Sequence, residues 1–285
     1  AKYNKVLNMA YLSHILGYTD GKPNTIGDAQ RLAKTELITS GKDLTTNKLQ
    51  YSLLGDPAIS LNKPSRNIVI DSINGVSTTT STLPTFKGGS IARISGHVEN
   101  EAAMSGLITA TVRDSRELIT CRRNDTAEAD SAFQYYDRTK VLYNGSDSIR
   151  TGKFTFTFAV PKDINYSGGT GLINLYAVNS DKTITANGHS DHFYVGGSNV
   201  ADNDSIGPAI YCYLNSPSFE NGGNVNTTPY FAAQINDGNG INVTGSGIGH
   251  NLELIIDGKA TMTYNVNDNF SYDFGTYKSG TTYYN

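Results

Sequence analysis

A thiol nucleophile in this chain would have to be Cys121 or Cys212, and its base one of His14, His97, His189, His192 and His250. Thiolate chemistry needs that base within reach, in a partly exposed, electropositive setting such as a turn or a helix N-terminus. Both cysteines instead follow apolar runs, Glu117-Leu118-Ile119-Thr120 and Ala209-Ile210-Tyr211, that read as strands. The expectation is two structural, unpaired cysteines, because they fall in different segments and small sandwich domains staple within themselves. His189-Ser190-Asp191-His192 suggests a metal site. Residues three apart do not share a strand face, however, and no third ligand is evident. His250 follows a glycine run and reads as a turn residue.

Residues 238–251, with Gly245, Gly247 and Gly249, look like a phosphate cradle. Such a cradle needs a following helix whose N-terminal amides face the anion, and a strand follows here. Oxygen ligands for calcium, which takes 6–8 of them, are the remaining option. Asp202, Asp204 and Asp237 are the metal candidates, for a structural Ca²⁺, with Asn203, Asn239 and Asp257 as further donors. The plain alternative for each is a turn former. Carboxylate pairs for sugar hydrolysis cannot be located from spacing alone.

These side chains hang on two kinds of element. Residues 3–16 repeat apolar positions at helical spacing up to Gly17, a natural stop. Thr25 precedes a second helical pattern, with Asp28 three residues on, close to a capping box. Its apolar face is Ile26, Ala29, Leu32, Ala33, Leu37 and Ile38. The run 51–61, Tyr-Ser-Leu-Leu-Gly-Asp-Pro-Ala-Ile-Ser-Leu, reads as strand, sharp turn and strand. From Asn67 the period falls to two. About eight strands at roughly ten-residue spacing follow, a sandwich pattern. Phe154, Phe156 and Phe158 mark one of them as central. Residues 202–208 read as a linker. Five more strands follow, the last at 270–277, and the end of the chain, Thr281-Thr282-Tyr283-Tyr284-Asn285, reads as the middle of a further strand. The expected division is 1–64, with two helices and a strand pair; 65–201, an Ig-like β-sandwich; and 202–285, a second, incomplete sandwich.

The composition agrees with a mainly β fold: Tyr and Thr are abundant, only 17% of residues are charged, and Trp is absent. A net charge of −3 without a basic stripe argues against nucleic acid. No apolar run reaches the ~18 residues of a membrane span. Two helices and a strand pair cannot bury a core alone in ~60 residues. The faces built on Leu7, Leu32 and Leu37 therefore need cover, from the following sandwich or from a dimer contact through exposed helical faces. Tyr135, Tyr136, Tyr143, Tyr283 and Tyr284 are loose candidates for a binding platform, and tyrosine on a sandwich also serves as core or rim filler.

Several ordered strings also carry a resemblance. They include Ile26-Gly27-Asp28-Ala29 with Lys34, and Leu53-Leu54-Gly55-Asp56-Pro57-Ala58. Further strings are 154–164, with Tyr166 and Gly171, Tyr194-Val195-Gly196-Gly197, Gly207-Pro208, Leu214-Asn215 and Phe219. Asp237 with Gly240-Ile241, Gly247-Ile248-Gly249-His250 and Ile255-Ile256-Asp257-Gly258 complete the set. Together they resemble the gingipain family of cysteine peptidases, and within it the PorU-type sortases of the type IX secretion system of Bacteroidetes. The resemblance implies that residues 1–64 are the C-terminal remnant of a caspase-like α/β domain. It implies a His/Cys dyad upstream of these helices, so no catalytic residue is carried over and the chain is expected to be inactive alone. It further implies an extracellular or outer-membrane cell-surface setting, protein substrates or secretion-system partners, and chain continuing after Asn285. The alternative function is a surface adhesion module that binds glycan or protein.

Overall fold

The fold below is that of a computed structural model, which describes residues 2–123, 126–127, 130–199, 206–245 and 251–285. Strands hold 40% of the residues and helices 13%, so the chain is mainly β. It divides into two compact units, Ala1–Pro64 and Ser65–Asn285.

The first unit pairs α1 (Lys2–Ile15) with α2 (Ile26–Thr39). Leu7 and Ala10 pack against Ala33 and Leu37, with Val6 and Tyr11 at the margin. The expected face of α2 is only partly used, since Ile38 is 56% exposed. Thr25 caps α2: its side chain accepts a hydrogen bond from the Asp28 amide at 3.1 Å, and its hydroxyl donates to the Asp28 carboxylate. The remaining first-turn amides, which have no partner inside the helix, are met by the 51–61 segment. Ile26 N donates to the Ile59 carbonyl at 2.8 Å, and Gly27 N to the Pro57 carbonyl at 3.0 Å. Gln30 and Lys34 both donate to the Tyr51 carbonyl, at 3.1 and 2.6 Å. A Cβ on Gly27 would lie 2.6 Å from that of Pro57, so only glycine permits this approach.

The strand pair expected in 51–61 does not form. A single isolated bridge, Thr25 to Ser60, is all the β-pairing this segment makes among the described residues. The reason lies in where its carbonyls go: those of Pro57 and Ile59 serve the helix rather than a ladder. Gly55, at φ +122°, breaks the run as expected. Leu54 is left 92% exposed.

The second unit is built on one large sheet. Its strands are β1 (Arg66–Ile73), β2 (Ile91–Val98), β3 (Gly106–Arg113), β4 (Val141–Ile149), β5 (Lys153–Ala159), β6 (Leu172–Asn179) and β7 (Thr185–Ser190). They run in the order β4-β3-β6-β7-β1-β2-β5, with the short strand Val76–Ser77 beside β1. All neighbours are antiparallel except β7 and β1, which meet in parallel only at Ala186–Arg66 and Asn187–Asn67. The two ends of the path, β4 and β5, are consecutive and joined by a tight turn at Thr151-Gly152, both at positive φ. Arg150 and Lys153 exchange backbone hydrogen bonds across it at 2.9 and 3.0 Å. The sheet thus nearly closes into a barrel. The Asn74-Gly75 signal makes the expected hairpin turn, at φ +52° and +79°.

Alternation fills the interior. Ala92, Ile94 and Val98 of β2, Ile108, Ala110 and Val112 of β3, and all three phenylalanines of β5 are buried. A parallel pair, Thr85–Gly88 with Tyr194–Ser198, brings Phe86 to 4.4 Å from Phe193 and edge-on to Phe158 at 5.7 Å. A four-stranded sheet follows in the order β8-β9-β11-β10, formed by β8 (Ala209–Leu214), β9 (Phe231–Asn236), β10 (Ser271–Tyr272) and β11 (Ser279–Tyr284). Its Ile235, Phe270 and Tyr272, with Ile241, belong to the same apolar core as the barrel. Tyr143 of β4 stacks on Phe158 at 5.0 Å and on Tyr272 at 5.2 Å. The Tyr272 hydroxyl donates to the Ile241 carbonyl at 2.5 Å. Gly240, at φ +110°, lets this segment approach β5, where a Cβ would lie 2.6 Å from that of Ala159. The boundary expected at residue 202 falls on residues outside those described.

Candidate functional site

Local strand structure keeps the sequence-predicted chemistry apart. Cys121 is half-buried and unpaired, its amide donating to the Phe133 carbonyl at 2.8 Å beyond the strand Glu117–Thr120. Cys212 lies on β8, which among the described residues pairs on one side only. Its residue surface is exposed, yet desolvation of the sulfur raises its pKa, the opposite of nucleophile activation. Among the described residues no hydrogen bond joins either cysteine to a histidine.

Three of the described histidines make side-chain contacts within the fold. His14 pairs with Glu36 at 3.0 Å, and Lys42 takes the other Glu36 oxygen at 2.7 Å. The Lys42 hydrogen bond, with His14 beside it, lowers the Glu36 pKa. His97 contacts both carboxylate oxygens of Asp71 across β2 and β1 at 3.0 Å. His192 meets the Thr80 carbonyl at 2.9 Å, while His189 lies on β7 opposite Asn174. His250, Asp202, Asn203, Asp204, Gly247 and Gly249 lie outside the described residues.

Of Asp202, Asp204 and Asp237, Asp237 alone lies among the described residues. Its Oδ1 accepts the Asn239 amide at 2.8 Å, a turn that leads into Gly240. Asp257 stands in another turn at φ +54°, 3.4 Å from Lys259. Among the described residues no three His, Cys, Asp or Glu side chains converge as metal ligands. Of the tyrosines, Tyr143 is core: burial, with Asp147 adding to it, pushes its pKa up to about 12. Tyr135 and Tyr136 are exposed on a two-stranded ribbon, Glu117–Thr120 with Gln134–Asp137, outside the barrel.

At the base of that ribbon is a cleft of about 570 Å³ that no motif announced. Arg113 ends β3, Arg116 precedes the ribbon, Arg138 follows it, and Tyr136, Asp137 and Leu172 complete the wall. Arg113 donates to the Arg138 carbonyl at 3.4 Å, and Arg138 donates to the Thr170 carbonyl at 3.3 Å. Among the described residues the Arg138 Nε is buried without a hydrogen-bond partner. No carboxylate lies within ion-pair distance of these three guanidinium groups among the described residues. Desolvation, then the like charge of Arg116, lowers the Arg138 pKa against the opposing pull of Asp191 and Asp137. The cleft leaves no signal in the sequence because Arg113 and Arg138 lie 25 residues apart along the chain and meet only in the fold.

No family model matches the chain, and no curated protein matches it. Among solved structures it is similar to the crystal structure of dimeric latent PorU from Porphyromonas gingivalis, at 31% identity and a TM-score of 0.52. That similarity covers 95% of this chain, and the chain spans 26% of the PorU chain. It supports a PorU-like relationship for this chain.

Proposed function

We propose that the chain is the non-catalytic C-terminal part of a PorU-like, gingipain-related cysteine endopeptidase or sortase at the cell surface. In this reading residues 1–64 complete a caspase-like domain, and the β-structure supports that domain and engages substrate or partner proteins. One observation carries the proposal: nearly the whole chain follows PorU while spanning 26% of it. Two features agree with it. Met9, Leu12 and Leu16 of the first unit are 61%, 50% and 60% exposed, an apolar surface that a larger domain would cover. Neither cysteine has the setting of a nucleophile. A peptidase assay on a mixed peptide library, with and without Ca²⁺, tests the reading. The expected result is no cleavage above buffer. Cleavage abolished by a thiol alkylator or by the Cys121→Ala and Cys212→Ala variants overturns it.

A further inference from the structure

We infer that the arginine cleft beside the Glu117–Thr120/Gln134–Asp137 ribbon binds an acidic, extended protein segment through its side-chain carboxylates. Arginine presents a planar fork of donors that matches a carboxylate edge to edge. Here three such groups, Arg113, Arg116 and Arg138, face one cleft, and among the described residues their only hydrogen-bond partners are two backbone carbonyls. Among the described residues Arg116 makes no hydrogen bond or ion pair, and it is exposed where it lines the cleft. A buried donor such as the Arg138 Nε is costly when left unmet, and an incoming oxygen would satisfy it. Asp191 and Asp137 offset part of the positive charge, and the Asp137 Oδ1 is engaged by the Arg138 amide at 2.8 Å.

The ribbon points to a peptide rather than a small ion. Each of its strands pairs only with the other, from Glu117–Asp137 to Thr120–Gln134, so each has one open backbone edge among the described residues. An extended segment can pair with such an edge, its alternate side chains falling on one side. Tyr136, 68% exposed, and Leu172 give those side chains a flat apolar wall next to the charges. The barrel strands β3 and β6 hold Arg113 and Leu172 in register, so the cleft is set by the sheet and not by the loop alone.

The inference deepens the partner-engaging part of the function proposed above and rests on it. Its test uses the whole chain and a fluorescent ten-residue peptide of alternating Glu and Val, with a Gln/Val peptide and inorganic phosphate as controls, read by anisotropy. The Glu peptide is expected to bind and the Gln peptide to fail. Arg116→Ala, at an exposed position that leaves the fold intact, is expected to weaken binding at least about tenfold, the scale of one charge-assisted bond. Methylating backbone nitrogens on one edge of the Glu peptide is expected to weaken it as well. Equal binding by the Arg116→Ala variant overturns the site. Competition by phosphate at the same concentration as the peptide overturns the assignment to a protein segment in favour of a small oxyanion. A failure here leaves the peptidase assay unaffected, so the two readings fail separately.

Discussion

Tyr143 and Tyr272 show how much of this molecule is settled by single side chains placed where water is not. Burial, chiefly, raises the pKa of both phenols, to about 12 for Tyr143. A raised folded pKa means that the fold favours the protonated phenol. That contribution is complete below the unfolded value near 10 and is lost as pH rises through the folded value. The melting temperature is therefore expected to hold between pH 7 and 9 and to fall steeply between pH 10 and about 12, followed by circular dichroism. A flat profile to pH 12 would contradict the burial of these rings. Tyr272→Phe deletes the donor to the Ile241 carbonyl and is expected to cost about 1–3 kcal/mol in urea unfolding, since that carbonyl loses a buried partner.

At the scale of elements, the N-terminus of α2 is the best-determined junction. Thr25→Ala removes the cap and is expected to cost about 0.5–2 kcal/mol. Gly27→Ala places a methyl 2.6 Å from Pro57 and is expected to cost about 1–3 kcal/mol through overpacking. Both would show as faster hydrogen exchange of the α2 amides, with exchange in β2 unchanged. Exchange at parent rates would mean that the 51–61 segment does not hold the helix.

The helices and the Phe154–Phe158 strand were legible in the sequence because their signals are local: a 3.6 period with a capping residue, and a period of two. The 51–61 segment misled because its apolar residues look like a strand. Its carbonyls have a better use 30 residues away, and periodicity does not record that. The sequence pattern sets the strands around Cys121, Tyr135 and Tyr136 among those of the sandwich, whereas in the structure Glu117–Thr120 and Gln134–Asp137 pair only with each other among the described residues. The arginine cleft left no trace in spacing, since β3 and the ribbon come together only in the folded barrel.

For the whole molecule, the shared core of barrel and second sheet predicts that residues 65–285 unfold as one body. Gly240→Ala, strained at φ +110° and crowded by Ala159, is expected to lower hydrogen-exchange protection in β2 and β9 together. Loss confined to residues 206–285 would mean two independent bodies. The larger claim, a PorU-like part without a catalytic centre of its own, is tested most directly at the two thiols. Incubate the chain with a peptidyl chloromethyl ketone and follow intact mass over time. Cys121 and Cys212 are expected to label slowly, without saturation, and no faster than free cysteine. Rapid, saturable labelling of one cysteine, blocked by a competing peptide, would contradict it.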